Sequence, residues 1–140
     1  MLGVRDGDEL VGVALVSAPG GAPPSAAMEE QYERLVDELG AAAAARIEDY
    51  EARTAGHKID APHYLLGMLG VRPAHQGRGV GRVLLDHIHA MSAADPESTG
   101  VWLSTEDRAN VPYYERAGYG VIAEADVGDI HTWAMFRPDQ

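Results

Sequence analysis

With 140 residues the chain has room for one domain built around a single core. Hydrophobic residues make up 46% and charged residues 24%, the balance of a globular protein and too apolar for a disordered one. Lys and Arg total 11 against 22 Asp and Glu, a formal charge of −11. That argues against nucleic acid and anionic membranes as partners, because a phosphate-binding face needs clustered basic residues. The absence of cysteine excludes disulfides, thiolate metal sites and a cysteine nucleophile. In the first 20 residues Arg5, Asp6, Asp8 and Glu9 surround one short apolar run, so neither a signal peptide nor a membrane span is read there, and a cytoplasmic location is expected. One Lys against ten Arg points to a GC-rich bacterial gene.

The run Leu10-Val11-Gly12-Val13-Ala14-Leu15-Val16 is apolar and β-branched, and Arg5-Asp6-Gly7-Asp8 before it is turn chemistry. Residues 1–17 are therefore expected to form a hairpin whose first arm is the stub at Leu2 to Val4. Residues 18–25, rich in Pro, Gly and Ala, make a loop. The spacing of Met28, Tyr32, Leu35 and Leu39 predicts a helix. Glu29, Glu30, Glu33, Asp37 and Glu38 form its solvated face, and Gly40 splits the helical segment, residues 27–55, in two.

The segment from Tyr64 to Val71 is almost continuously apolar, the mark of a strand covered on both faces. A glycine-rich turn follows. A helix then runs from about Gly79 to Met91, with Val80, Val83, Leu84, Ile88 and Met91 on one stripe. Val101-Trp102-Leu103-Ser104-Thr105 reads as a strand, residues 110–117 as a short helix closed by Gly118, and residues 119–125 and 130–136 as a hairpin. Strand, helix, strand, helix, strand, strand describes a mixed α/β sheet with one right-handed crossover at its centre.

Gln76-Gly77-Arg78-Gly79-Val80-Gly81 joins the buried strand to the first turn of the helix. Three glycines allow a tight turn that brings several N–H groups together, and the start of a helix adds unpaired amides and a positive dipole end. The product is an anion cradle suited to a phosphate or pyrophosphate, with Arg78 and Arg82 able to add charge. A dinucleotide-binding G-x-G-x-x-G does not fit, since the third glycine arrives one residue early, and the Gly-Lys-Ser/Thr of a Walker loop is absent. What remains is Gln/Arg-x-x-Gly-x-Gly, matched by Gln76, Gly79 and Gly81.

That pattern resembles the acetyl-CoA pyrophosphate loop of the GCN5-related N-acetyltransferase (GNAT) superfamily. Three further stretches extend the likeness: residues 62–71 ahead of the turn, Asn110-Val111-Pro112-Tyr113-Tyr114-Glu115-Arg116-Ala117-Gly118-Tyr119, and Thr132-Trp133-Ala134-Met135-Phe136-Arg137. Within the superfamily the chain is similar to the puromycin N-acetyltransferase-like group, tightly from His63 onward. The resemblance implies a single GNAT domain over residues 1–140, with residues 63–137 as its acetyl-CoA-binding core. It also implies an acetyl-CoA-dependent N-acetyltransferase that needs no metal and acts on a small amine by direct attack. Leu69, Gly70 and Val71 would offer main chain to the pantetheine arm, Gln76, Gly77, Arg78, Gly79, Val80, Gly81 and Arg82 would hold the pyrophosphate, and Asn110 would touch the pantetheine.

By itself Asn110 reads as the N-cap of the helix that Val111-Pro112 begins. Tyr114 matches the family's tyrosine that protonates the departing thiolate; its ordinary role is a core aromatic. Close relatives carry a glutamate where this chain has Ser104, and serine cannot act as a base unaided. Glu106, two residues on and on the same strand face, is one candidate base, and His63 is another. His63 also reads simply as a strand-end histidine satisfied by hydrogen bonds. His87 and His89 point to different sides of a helix and make no metal pair. The superfamily fold begins with a strand and two helices that have no counterpart here. The resemblance therefore implies a shortened N-terminus, with an exposed edge or a partner covering it, a second copy being one candidate. Ser104 and that shortening favour a second reading, a catalytically weak or inactive CoA-binding module.

Overall fold

The computed structural model describes residues 1–139. One six-stranded mixed sheet carries four helices, and all the strands follow from the apolar runs of the sequence. Strands β1 (Leu2–Asp6) and β2 (Glu9–Ser17) form the opening hairpin, and helices α1 (Ala26–Leu39) and α2 (Ala41–Thr54) follow. Then come β3 (Tyr64–Val71), α3 (Val80–Ala94), β4 (Gly100–Thr105), α4 (Val111–Arg116), β5 (Gly120–Val127) and β6 (Ile130–Pro138). The strand order is β1-β2-β3-β4-β6-β5, with β3 and β4 the parallel pair and β1 outermost. No helix among the described residues is long and apolar enough to cross a membrane.

One face of the sheet holds the core. Leu84, Leu85 and Ile88 of α3 are at most 2% exposed and pack with Ala14, Leu66, Val101, Leu103 and Met135. The helix docks one residue further round than its stripe suggests: Leu85, His89 and Ser92 are buried, whereas Val83 lies 57% exposed. The close approach of α3 to β2 needs Gly12, where a Cβ would stand 2.6 Å from the Val80 methyl.

Two expectations fail on the opposite face. β3 is covered on one side only: Tyr64 and Leu66 are buried, but Leu65 is 37% and Met68 58% exposed. Helix α2 packs against β5, not over β3, so an apolar run meant for two layers receives one. The stripe of α1 likewise faces solvent, with Met28, Tyr32, Leu35 and Leu39 between 51% and 61% exposed; α1 packs on α2 and buries no residue. The turn between β5 and β6 is also tighter than the sequence indicated, because β5 runs on through Asp126 and Val127.

The core contains a histidine–tyrosine pair. His89 is 8% exposed, and its Nε2 lies 3.0 Å from the Tyr119 hydroxyl. Burial, reinforced by the positive charge of Arg137, lowers the His89 pKa to about 4. The unfolded chain therefore binds a proton near pH 6.5 that the folded chain refuses until about pH 4, so this contribution is intact above 6.5 and lost as pH falls through that window. Between pH 7 and 5 the linkage amounts to about 2 kcal/mol, or about 6 °C in Tm. Thermal melts of His89→Gln should fall by that much less than wild type over the same interval; parallel declines would show that His89 is not the group responsible.

Candidate active site

The parallel pair separates almost as soon as it forms. β3 and β4 are in register only at Tyr64 with Val101 and Leu65 with Trp102, after which β3 continues six residues to Val71 without β4 beside it. The main chain along Leu66 to Val71 is thus bonded to β2 on one side and free of β4 on the other. A strand with an open edge inside a sheet is a place where an extended ligand can add as a strand.

The glycine turn sits at the head of this opening. After β3 the Arg72 amide bonds the Val11 carbonyl, and the Gln76 side-chain amide donates to the Val71 carbonyl at 3.2 Å, folding the turn back on the strand end. Gly77 and Gly79 adopt φ of 73° and 85°, a left-handed backbone that costs other residues about 1–2 kcal/mol. Gly79 starts α3 with no side chain capping it, so the first amides of a 15-residue helix remain available to an anion.

A cavity of about 450 Å³ lies between this turn, β3 and the start of α4. Of the residues expected at a cofactor, Leu69, Val71, Gln76, Gly77, Gly79, Val80, Gly81, Arg82 and Asn110 line it. Gly70, Arg78 and Tyr114, also expected at the cofactor, do not: Gly70 lines a separate groove against β2, Arg78 is exposed on the turn, and Tyr114 packs between Tyr113 and Tyr119. The guanidinium of Arg82 is held by Asp86 at 2.7 Å, which diverts part of its charge along the helix. Two lining residues were not expected, His75 and Tyr113. Both are sequence neighbours of expected ones, and alternation along a turn or helix is the only signal that could have separated Tyr113 from Tyr114.

Asn110 does not cap α4 as its position suggests. Its backbone is already helical (φ −78°, ψ −26°), and its side-chain amide donates instead to the Thr105 hydroxyl at 3.1 Å. That bond ties the cavity wall to the end of β4. Behind it stand the tyrosines. Tyr113 packs edge-on to Tyr114 at 5.3 Å, and Tyr114 packs edge-on to Tyr119 at 5.7 Å. Burial raises the pKa of both Tyr113 and Tyr114, which keeps each phenol protonated at neutral pH.

β4 ends at Thr105, so Glu106 is past the strand, but its carboxylate lies on the sheet face opposite α3. There Oε1 accepts from the Tyr50 hydroxyl at 2.8 Å and from the Thr132 hydroxyl at 3.2 Å. Tyr50 comes from α2, and neither partner was legible as a site residue in the sequence. The Tyr50 pKa is raised by burial and by bonding to Glu106. His63 is not brought to this cluster or to the cavity: its Nδ1 is 2.7 Å from the Ala61 carbonyl, beside the loop that follows β2, as a satisfied strand-end histidine would be. A larger cavity, about 710 Å³, opens between α4 and the β5–β6 hairpin beside Arg108, His131 and Trp133, but it contains none of the glycine turn.

Comparison with known proteins agrees with this architecture. Residues 26–121 match the family model described as Acetyltransferase (GNAT) domain. A Corynebacterium glutamicum structure described as histone acetyltransferase HPA2 and related acetyltransferase superposes with a TM-score of 0.67 at 23% identity, covering 99% of this chain and 63% of its own. Naa20 of Chaetomium thermophilum, solved with a bisubstrate analogue, gives 0.62 at 16% identity over 98% and 64%. PH1933 of Pyrococcus horikoshii gives 0.58 at 14% over 97% and 62%. The chain therefore spans a little under two thirds of the length of these three structures.

Proposed function

Because the chain belongs to the GNAT acetyltransferase family, we propose that it transfers the acetyl group of acetyl-CoA to the amine of a small molecule, in a ternary complex with no acyl-enzyme. The observation that carries this reading is the single cavity shared by the glycine turn and the unpaired stretch of β3. In it the amides of the turn and of the start of α3 hold the pyrophosphate, and the main chain near Leu69 and Val71 takes the pantetheine arm. The thioester then lies where β3 and β4 part.

The amine nitrogen attacks the thioester carbonyl carbon, the C–S bond breaks as the carbonyl re-forms, the thiolate receives the proton of Tyr114, and the proton that the new amide nitrogen sheds restores the Tyr114 phenol. The acceptor enters as an ammonium ion and must lose a proton before it can attack. Glu106 takes that proton through water, from the sheet face opposite the core. Holding both reactants at the parting of the strands supplies much of the rate, since positioning two reactants is worth about 7–11 kcal/mol in favourable cases.

Serine at position 104 favours a second reading, a CoA-binding module with little turnover. Calorimetry with acetyl-CoA followed by thiol release over a panel of amines tests both. Binding plus amine-dependent release is the expected result. Binding without release on any amine selects the module, and no binding removes both.

A further inference from the structure

Glu106 is clamped from a part of the chain that no motif marks. We infer that Tyr50 of α2 is a positioning residue for the acceptor half of the reaction, holding the Glu106 carboxylate toward the opening between β3 and β4. The inference rests on Glu106 acting as the base in the reading above.

Three observations carry it. Both hydroxyl donors, Tyr50 and Thr132, bond the same oxygen, Oε1, and among the described residues Oε2 has no hydrogen-bond partner. One oxygen is thus fixed and the other keeps its lone pairs for a water or an ammonium group. The two donors also differ in kind. Thr132 is fully buried in β6, whereas Tyr50 reaches across 56 residues of sequence from a helix that buries no residue of its own. Finally, Glu106 follows Thr105, whose hydroxyl accepts the Asn110 amide, so the clamp lies one residue from the link to the cofactor cavity. A glutamate just past a strand end would otherwise sample several rotamers. The phenol holds it in one.

Tyr50→Phe keeps the ring and deletes the donor. The expected result is a fall of about 10-fold in kcat/KM for the amine, with the acetyl-CoA Kd unchanged and Tm within about 2 °C, at the low end for a perturbed general base. Glu106→Gln should lose at least as much, and the double variant should be no slower than Glu106→Gln alone, because a phenol that acts through the carboxylate has nothing to act on once it is gone. Losses that multiply in the double variant, or wild-type kinetics in Tyr50→Phe beside an impaired Glu106→Gln, would overturn the inference and leave the base in place. Wild-type kinetics in Glu106→Gln would overturn the base assignment and this inference with it. Should no amine turn over, ultraviolet titration reads the contact directly. The tyrosine ionisation missing from Tyr50→Phe should move to lower pH in Glu106→Gln, and an unmoved ionisation overturns the pairing.

Discussion

Gly81→Val is expected to weaken acetyl-CoA binding by at least about 100-fold, equivalent to about 2.7 kcal/mol. The argument is steric and local. A Cβ at position 81 would stand 2.7 Å from the Tyr113 hydroxyl and 3.7 Å from the Leu69 side chain, so even one carbon displaces the phenol, and two further methyl groups must project into the cavity. Overpacking a filled site costs about 1–3 kcal/mol, and only the part that arises when the ligand occupies the same space weakens binding. Residue 81 lies in the first turn of α3, beside the amides that would face the pyrophosphate, so the intrusion and the anion compete for one space. Calorimetric titration measures the effect. A melting profile close to that of wild type would show that the fold persists, and an unchanged Kd in such a folded variant would mean that the cofactor lies elsewhere.

Tyr114→Phe should lower kcat by about 10²-fold while leaving the acetyl-CoA Kd near its wild-type value. In the proposed reaction the phenol contributes a proton only as the C–S bond breaks, so its loss would belong to the transition state and not to binding. Burial raises its pKa, which keeps the proton in place at neutral pH, and giving it to a thiolate, the weaker base, costs free energy that positioning at the breaking C–S bond must offset. Tyr113 supplies the comparison. It lines the cofactor cavity directly, whereas Tyr114 lies behind it, edge-on to Tyr113 and Tyr119. Tyr113→Phe is expected to change the acetyl-CoA Kd by a few fold and kcat little, the loss of one hydrogen bond. Pre-steady-state thiol release separates chemistry from product departure. The opposite pattern, with Tyr113→Phe impairing kcat and Tyr114→Phe silent, would transfer the acid role to Tyr113.

The contrast between the two sides of this site has a physical origin. The anion cradle is local: Gln76, Gly77, Gly79 and Gly81 lie within six residues, and the geometry that makes them useful, a left-handed turn feeding a helix, is a property of glycine and of helix ends. Nothing distant is required to recognise it. The proposed proton-accepting side is not local. Glu106, Thr132 and Tyr50 come from the end of β4, from β6 and from α2, and each alone is an ordinary residue in an ordinary place. Tyr50 in particular sits within an acidic, solvated stretch of helix where a lone aromatic carries no signal.

Element by element, the apolar runs and the glycines were enough to place the six strands and the four α-helices, because period and turn chemistry are decided within a few residues. The sequence by itself also carried the resemblance to the family and the form of the glycine turn. Tertiary structure decided which residues face one another: that β3 and β4 part after two pairs, that Asn110 bonds Thr105 instead of capping its helix, that Tyr113 and not Tyr114 lines the cavity, and that Tyr50 meets Glu106. It also decided how much is buried. The run from Tyr64 to Val71 is written for two covered faces and the stripe of α1 for one, but a hydrophobic pattern states only that a face prefers to leave water. Which neighbour removes it from water depends on where α2 docks, and that is set by contacts dozens of residues away.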